Sequence, residues 1–183
     1  IKKNEKITVR KIDIKNLNKE VELIKQIYNS AWSKNWGFVP MTEEEIDFLA
    51  EDLKKILDPD IAFIAFVEGK PAGFSLALPN INPVLQKLKG RIFPFGWLKY
   101  FWFTKVKNIV DGARVITLGV KPEYQKKGIE VVFYVDTFNI GTKKGYDWGE
   151  FSWILEDNYL VIKPLEAMGA KVYKVYRMYE MRI

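Results

Sequence analysis

The chain contains no cysteine and no histidine. The first absence excludes disulfides, thiol nucleophiles and thiolate metal sites. The second excludes an imidazole base, a Ser-His-Asp triad and the usual zinc ligand sets, so no metal is expected. Acid–base chemistry falls instead to carboxylates, tyrosines, lysines or backbone groups. A cysteine-free chain fits a reducing compartment, and a cytoplasmic location is the expectation. No apolar run reaches the roughly 18 residues of a membrane-spanning helix. The opening residues are polar and lack a signal-peptide pattern. The sequence starts at Ile1 rather than Met, which leaves room for an upstream domain.

What is present is a core. Of 183 residues, 48% are apolar and 15% aromatic, enough for one domain, expected to run over 1–183. The net charge is +6, and its distribution matters more than its size. Residues 81–110 hold six cations (Lys87, Lys89, Arg91, Lys99, Lys105, Lys107) and no acid. Removing these six leaves the rest of the chain balanced, at 23 basic and 23 acidic residues. The same segment carries Phe93, Phe95, Trp97, Tyr100, Phe101, Trp102 and Phe103. It reads as an amphipathic helix pair with solvated lysines. Other readings are a lid, a homo-oligomer contact, or an element that meets a membrane surface. The balanced body gives no reason to expect a nucleic-acid partner.

Hydrophobic periodicity orders the chain. Strands are expected at 7–14, 61–67, 72–78, 113–120, 148–155 and 171–182. Helices are expected at 16–35, 42–57, 83–89, 96–107, 128–144 and 158–168. Thr42 followed by Glu43, Glu44 and Glu45 is an N-cap with acids in the first turn. Asn82 and Pro83 read as a cap and a first helical residue. An antiparallel front half followed by a βαβ crossover implies an α/β (α+β) domain. Its sheet is mixed and mostly antiparallel, has helices on both faces, and carries a helical insert at about 80–110.

The most informative stretch is Leu118-Gly119-Val120-Lys121-Pro122-Glu123-Tyr124-Gln125-Lys126-Lys127-Gly128-Ile129-Glu130. It joins a strand to a helix. Gly128 permits positive φ or close backbone approach. The amides from Gln125 to Glu130 are the unpaired donors of a helix N-terminus, which suit a phosphate or pyrophosphate. Lys126 and Lys127 add charge beside them. On these features alone the stretch is either an anion site or an ordinary βα turn.

This turn resembles the pyrophosphate loop of the GNAT superfamily of acyl-CoA-dependent N-acyltransferases, roughly V-x-P-x-x-Q/R-x-x-G-x-G/A. Val120, Pro122, Gln125 and Gly128 match, and Glu130 stands where Gly or Ala is usual. A second region, Asn158 through Glu166 to Gly169, resembles the family's Asn-led helix, with Leu165 in place of its frequent Tyr. The resemblance implies the GNAT fold and acetyl-CoA or another acyl-CoA as cosubstrate. It also implies a small-molecule amine acceptor that attacks directly in a ternary complex. It places CoA on Leu118, Gly119, Val120, Gln125, Lys126, Lys127, Gly128, Ile129, Glu130 and Asn158. It makes the Val120 N–H the oxyanion donor.

Deprotonating the amine needs a base. Glu150 is the first candidate, because Trp148, Phe151 and Trp153 suggest an apolar setting that would disfavour its charged form. Glu156 is the second. Trp32, Asn35 and Trp36, with Trp153, are expected to line the acceptor site or else to pack in the core. Glu130 and Leu165 also admit a different reading, a non-catalytic CoA-binding or regulatory module. Surface binding through the insert is a third.

Overall fold

The structure, a computed structural model, describes residues 6–33, 35, 37–91, 93–177 and 179–181. It comprises two compact units, Ile1–Ser152 and Trp153–Ile183. The first unit is built on a five-stranded sheet. Its strands, in spatial order, are β1 (Ile7–Lys11), β2 (Ala62–Val67), β3 (Lys70–Pro79), β4 (Gly112–Val120) and β5 (Trp148–Phe151). β1 through β4 pair antiparallel, and β4 pairs parallel with β5. The β2–β3 hairpin turns on Glu68 and Gly69, both at positive φ, the twist a two-residue hairpin loop requires. The parallel pair needs a crossover, and α5 (Ile129–Lys143) supplies it.

Period-two alternation puts the sheet's apolar residues on both faces. Ala62 and Ile64 of β2, with Phe74, Leu76 and Leu78 of β3, face α1 (Leu17–Ala31) and its buried Ile27. Phe63, Ala65 and Val67 join Val120 against Ile129 and Phe133 of α5. α2 (Glu43–Lys54) opens with a complete capping box between Thr42 and Glu45. A bidentate Arg10–Glu20 pair at 2.8 and 2.9 Å ties β1 to α1.

The insert between β3 and β4 forms α3 (Asn82–Leu88) and α4 (Gly96–Phe101), the latter running on into a π-helical turn, Trp102–Val106. Helix α3 starts one residue earlier than expected. Ile81 is its cap and Asn82 lies inside, with no side-chain cap bond. Val84, Leu88 and Val110 bury the inner side of the insert, with Tyr100, Phe103 and Tyr146 packed against them.

Three expected strands change. The strand expected at 7–14 ends at Lys11, and Ile14–Asn16 forms a 3-10 turn capped by Asp13. The strand expected at 148–155 ends at Phe151. Its register explains the stop: Thr117 pairs with Leu76 and Val115 with Ala77, so Ile116 bulges out of β4 and the ladder to β5 ends at Val115. In the second unit α6 (Tyr159–Ala167) forms as expected. No strand forms among the described residues of 171–182. The alternation of Tyr173, Val175, Arg177 and Tyr179 is intact, but a strand exists only through its ladder. Met178 and Arg182 of that stretch lie outside the described residues.

Candidate functional site

The site begins where β4 loses its second neighbour. β4 pairs with β5 only from Gly112 to Val115. The Lys121 N–H donates to Ala72 O at 2.8 Å, so the alternation of an antiparallel ladder turns the backbone of Val120 and Leu118 the other way. Their N–H and C=O groups point towards the side β5 has vacated. Val120 O accepts a hydrogen bond from Gln125 Nε2 at 3.3 Å, which folds the turn back onto the strand end.

The turn itself is contorted in a directed way. Pro122–Tyr124 is a single 3-10 turn. Lys126 then takes φ +63° and Gly128 φ +79°. Left-handed residues among ordinary ones turn successive amides toward a common concavity. α5 follows, and its first bond runs from the Val132 N–H to Gly128 O at 3.2 Å. The amides of Ile129, Glu130 and Val131 thus precede the first intrahelical bond and stand at the positive end of the helix dipole. The sequence-derived set of Leu118, Gly119, Val120, Gln125, Lys126, Gly128, Ile129 and Glu130 is brought together on one strand–turn–helix unit, with Lys127 in the same loop.

Glu130, in the first turn of α5, is half-buried. Burial raises its carboxyl above the usual range, against one backbone hydrogen bond that lowers it. One turn further on, Tyr134 is 2% exposed and its hydroxyl has no hydrogen-bond partner among the described residues. Burial pushes that hydroxyl up, and the Glu130 charge adds to it. Its ring meets Phe151 of β5 edge-on at 5.4 Å. Thr137 Oγ1 is, like the Tyr134 hydroxyl, a buried polar atom without a partner among the described residues. Positions 130, 134 and 137 share one helix face. Sequence reading missed Tyr134, because Asp136, Asn139, Thr142 and Lys143 on the same helix leave positions 130, 134 and 137 without a distinctive polar pattern.

The remaining candidates are dispersed. Glu150 is paired with an arginine. Arg114 binds its Oε1 through Nη2 at 2.8 Å and Nε at 3.2 Å, and the same Nη2 reaches Ser152 Oγ at 3.2 Å. Register places Glu150 beside Arg114, six residues before Val120. At the usual strand rise that is about 20 Å, so these two cannot serve one carbonyl. Trp32 stacks on Tyr28 at 4.8 Å, leans on Phe74 at 5.9 Å and covers Gly119, where any Cβ would overlap its ring. It is a packing residue of the α1 face. Asn35 lies in an exposed turn, and Trp36 is outside the described residues. In the second unit Glu156 is exposed and paired with Arg177 at 2.7 Å. There Trp153 is 91% exposed, and Asn158 caps α6 with its backbone alone.

No family model matches this chain. Two curated proteins do. Protein YghO of Escherichia coli is 40% identical over 97% of the chain, and the bacterial ceramide synthase of Caulobacter vibrioides is 37% identical over 95%. The chain spans about half the length of these relatives, 46% of each. Solved structures share the architecture at low identity. An aminoglycoside acetyltransferase from an uncultured soil metagenomic sample, in complex with sisomicin, superposes with TM-score 0.59 at 15% identity, over 100% of both chains. The ribosomal-protein-S18-alanine N-acetyltransferase of Escherichia coli gives TM-score 0.58 at 15% identity, over 89% of this chain and 76% of its own. The PaiA N-acetyltransferase of Thermoplasma acidophilum, in complex with coenzyme A, gives 0.54 at 16%, over 93% and 92%.

Proposed function

The chain has the GNAT fold, and on that premise we propose that it binds an acyl-CoA and transfers the acyl group to a primary amine. The observation that carries this reading is the turn at 126–131 beside the end of β4 that β5 leaves unpaired; the Gln125 amide, expected to be free, instead donates to Pro122 O at 3.4 Å. A pyrophosphate on those amides leaves the pantetheine arm to run back along β4 as a surrogate strand. Val120 lies next to the turn, so its backbone pairs with the arm. Leu118, the next residue with the same orientation, is then the better oxyanion donor, because the thioester lies beyond the arm's first amide.

The chemistry is balanced by two proton movements. The ammonium loses a proton, its nitrogen attacks the thioester carbonyl, and the C–S bond breaks as the thiolate takes up a proton. Leu165 leaves α6 without a tyrosine at the position that supplies that last proton in the resembled family. The buried, unpartnered Tyr134 hydroxyl, on the helix that begins at the turn, is the donor we assign to the thiolate. Glu150, held by Arg114 four residues before Leu118, lies about 13 Å along the strand from that donor, so the proton of the attacking amine passes to water rather than to this carboxylate.

The acceptor we favour is a long-chain amino alcohol. A relative 37% identical across 95% of the chain is named a ceramide synthase, and a ceramide is such an amine in N-acylated form.

Calorimetric titration with CoA, acetyl-CoA and a long-chain acyl-CoA tests the reading, together with thiol release on addition of a long-chain amino alcohol. The cysteine-free chain contributes no thiol background to that second assay. Micromolar binding and amine-dependent thiol release are expected. No binding at millimolar CoA would overturn the proposal. Binding without turnover across a broad amine panel would leave a CoA-binding module.

A further inference from the structure

The insert exposes what a water-soluble surface ordinarily hides. Phe93 is 88% exposed, and Phe95, Trp97, Phe101 and Trp102 are all more than half exposed. The helical spacing shows that this is one face. Tyr100 and Phe103 point to the body, where they pack with Val84, Leu88 and Val110. Trp97, Leu98, Phe101 and Trp102 lie on the opposite side, at positions i, i+1, i+4 and i+5. Leu98, Phe101 and Trp102 also line a shallow apolar groove, with Lys87 and Lys99 at its edge.

Charge selects the occupant. All six ionisable residues of 81–110 other than tyrosine are cations, whereas the rest of the chain is electrically balanced. Exposed aromatics interleaved with lysines, without one acid, match the headgroup layer of an anionic bilayer. The rings enter the acyl boundary and the ammonium groups stay with the phosphates. No described helix is long and apolar enough to cross a membrane, so the contact is with a surface.

The geometry points to the outer face of α4 and its π-helical turn as a docking surface for an anionic lipid bilayer. The position within the fold gives the docking a purpose. The insert leaves β3 at Pro79 and re-enters β4 at Gly112, while the amide-lined turn leaves the same strand at Val120. A nine-residue strand spans about 27 Å, so the two features sit at opposite ends of it. An acceptor lifted from the bilayer would reach β4 from one end while CoA enters from water at the other. That second step rests on the lipid-amine reading, whereas the docking does not.

The experiment is co-sedimentation with vesicles, without CoA or acceptor, so its outcome is independent of the acyltransferase reading. Binding to phosphatidylglycerol-rich vesicles should exceed binding to pure phosphatidylcholine and fall steeply between 50 and 300 mM salt. The variant K99E/K105E/K107E should lose on the order of 100-fold in partitioning. The variant W97A/F101A/W102A, whose side chains are exposed, should bind weakly and lose the blue shift of tryptophan fluorescence on vesicles. Binding insensitive to lipid charge and salt would overturn the proposal. So would tighter binding to a single-stranded oligonucleotide than to vesicles. A concentration-dependent dimer abolished by W97A/F101A/W102A would also overturn it, by assigning the face to a second copy.

Discussion

The two ends of β4 both present positive potential, and they do it by different means. At the Val120 end the positive potential comes from backbone amides and a helix N-terminus, fixed by positive φ at Lys126 and Gly128. At the Gly112 end it comes from lysine side chains on the insert, with aromatic rings between them. Fixed amides recognise one phosphate geometry and resist salt, because the donors are local and pre-oriented. Flexible ammonium groups attract a diffuse surface and are screened within a Debye length. The balanced body between the ends contributes net charge to neither. The +6 therefore reports on the insert alone.

The largest separation of the two ends should come from Gly128→Asp. The substitution places a side chain at φ +79° and a carboxylate against the phosphate amides. Left-handed strain costs about 1 kcal/mol of stability, and CoA affinity should fall about 100-fold or more. Calorimetry checks this, while vesicle partitioning stays unchanged. If both fall together, the ends are not independent.

Tyr134→Phe tests the donor role with two readouts of opposite sign. Removing a buried hydroxyl that lacks a partner should leave stability equal or raise it by about 1 kcal/mol. Thiol release should drop roughly 100-fold in kcat, the lower end of the range for loss of a general acid. A loss of stability would instead make the hydroxyl structural. Glu130→Gln is milder. It removes a carboxylate held partly buried beside the phosphate amides, so CoA should bind about fivefold tighter above neutral pH, about 1 kcal/mol. Unchanged affinity would place the acid away from the phosphates.

The strand–turn–helix unit at 118–130 was legible because its signals are local: a proline, a glycine and the start of an apolar helix. The order of elements was legible for the same reason, since each period lies inside one segment. Non-local facts were not. Nothing within 148–155 says that the strand stops at Phe151, because the cause is a bulge at Ile116 on its neighbour. Nothing around Glu150 says that it faces Arg114, because the parallel register decides that pairing. Trp32 was placed at a binding loop, and only the tertiary fold shows it closing over Gly119. Tyr134 was passed over because an apolar helix hides its polar face until the packing is known.

The smallest expected effect concerns how the insert end is held. Tyr146 packs under the insert, and its hydroxyl donates to Asp58 Oδ2 at 2.9 Å. Lys144, at the end of α5, reaches Asp58 and Asp60 at 2.6 Å each, and Lys11 reaches Asp60 at 2.7 Å. The two ammonium groups hold the Asp60 carboxyl down at about 2, from an ordinary 3.8. A depressed carboxylate stabilises the fold above its unfolded pKa and loses that contribution as pH falls through its folded value. The window is therefore about pH 4 down to 2. Asp60 is 41% exposed, so solvent screening reduces the contribution to about 1 kcal/mol. Asp60→Asn should lower Tm by about 2–4 °C at neutral pH. It should also flatten the fall in urea-unfolding stability between pH 4 and 2. CoA affinity at the far end of β4 should not move, since that end is built on backbone amides that Asp60 and its lysine partners do not touch. An acid-dependent loss of CoA binding that Asp60→Asn removes would show that the clamp at one end of the strand controls the turn at the other.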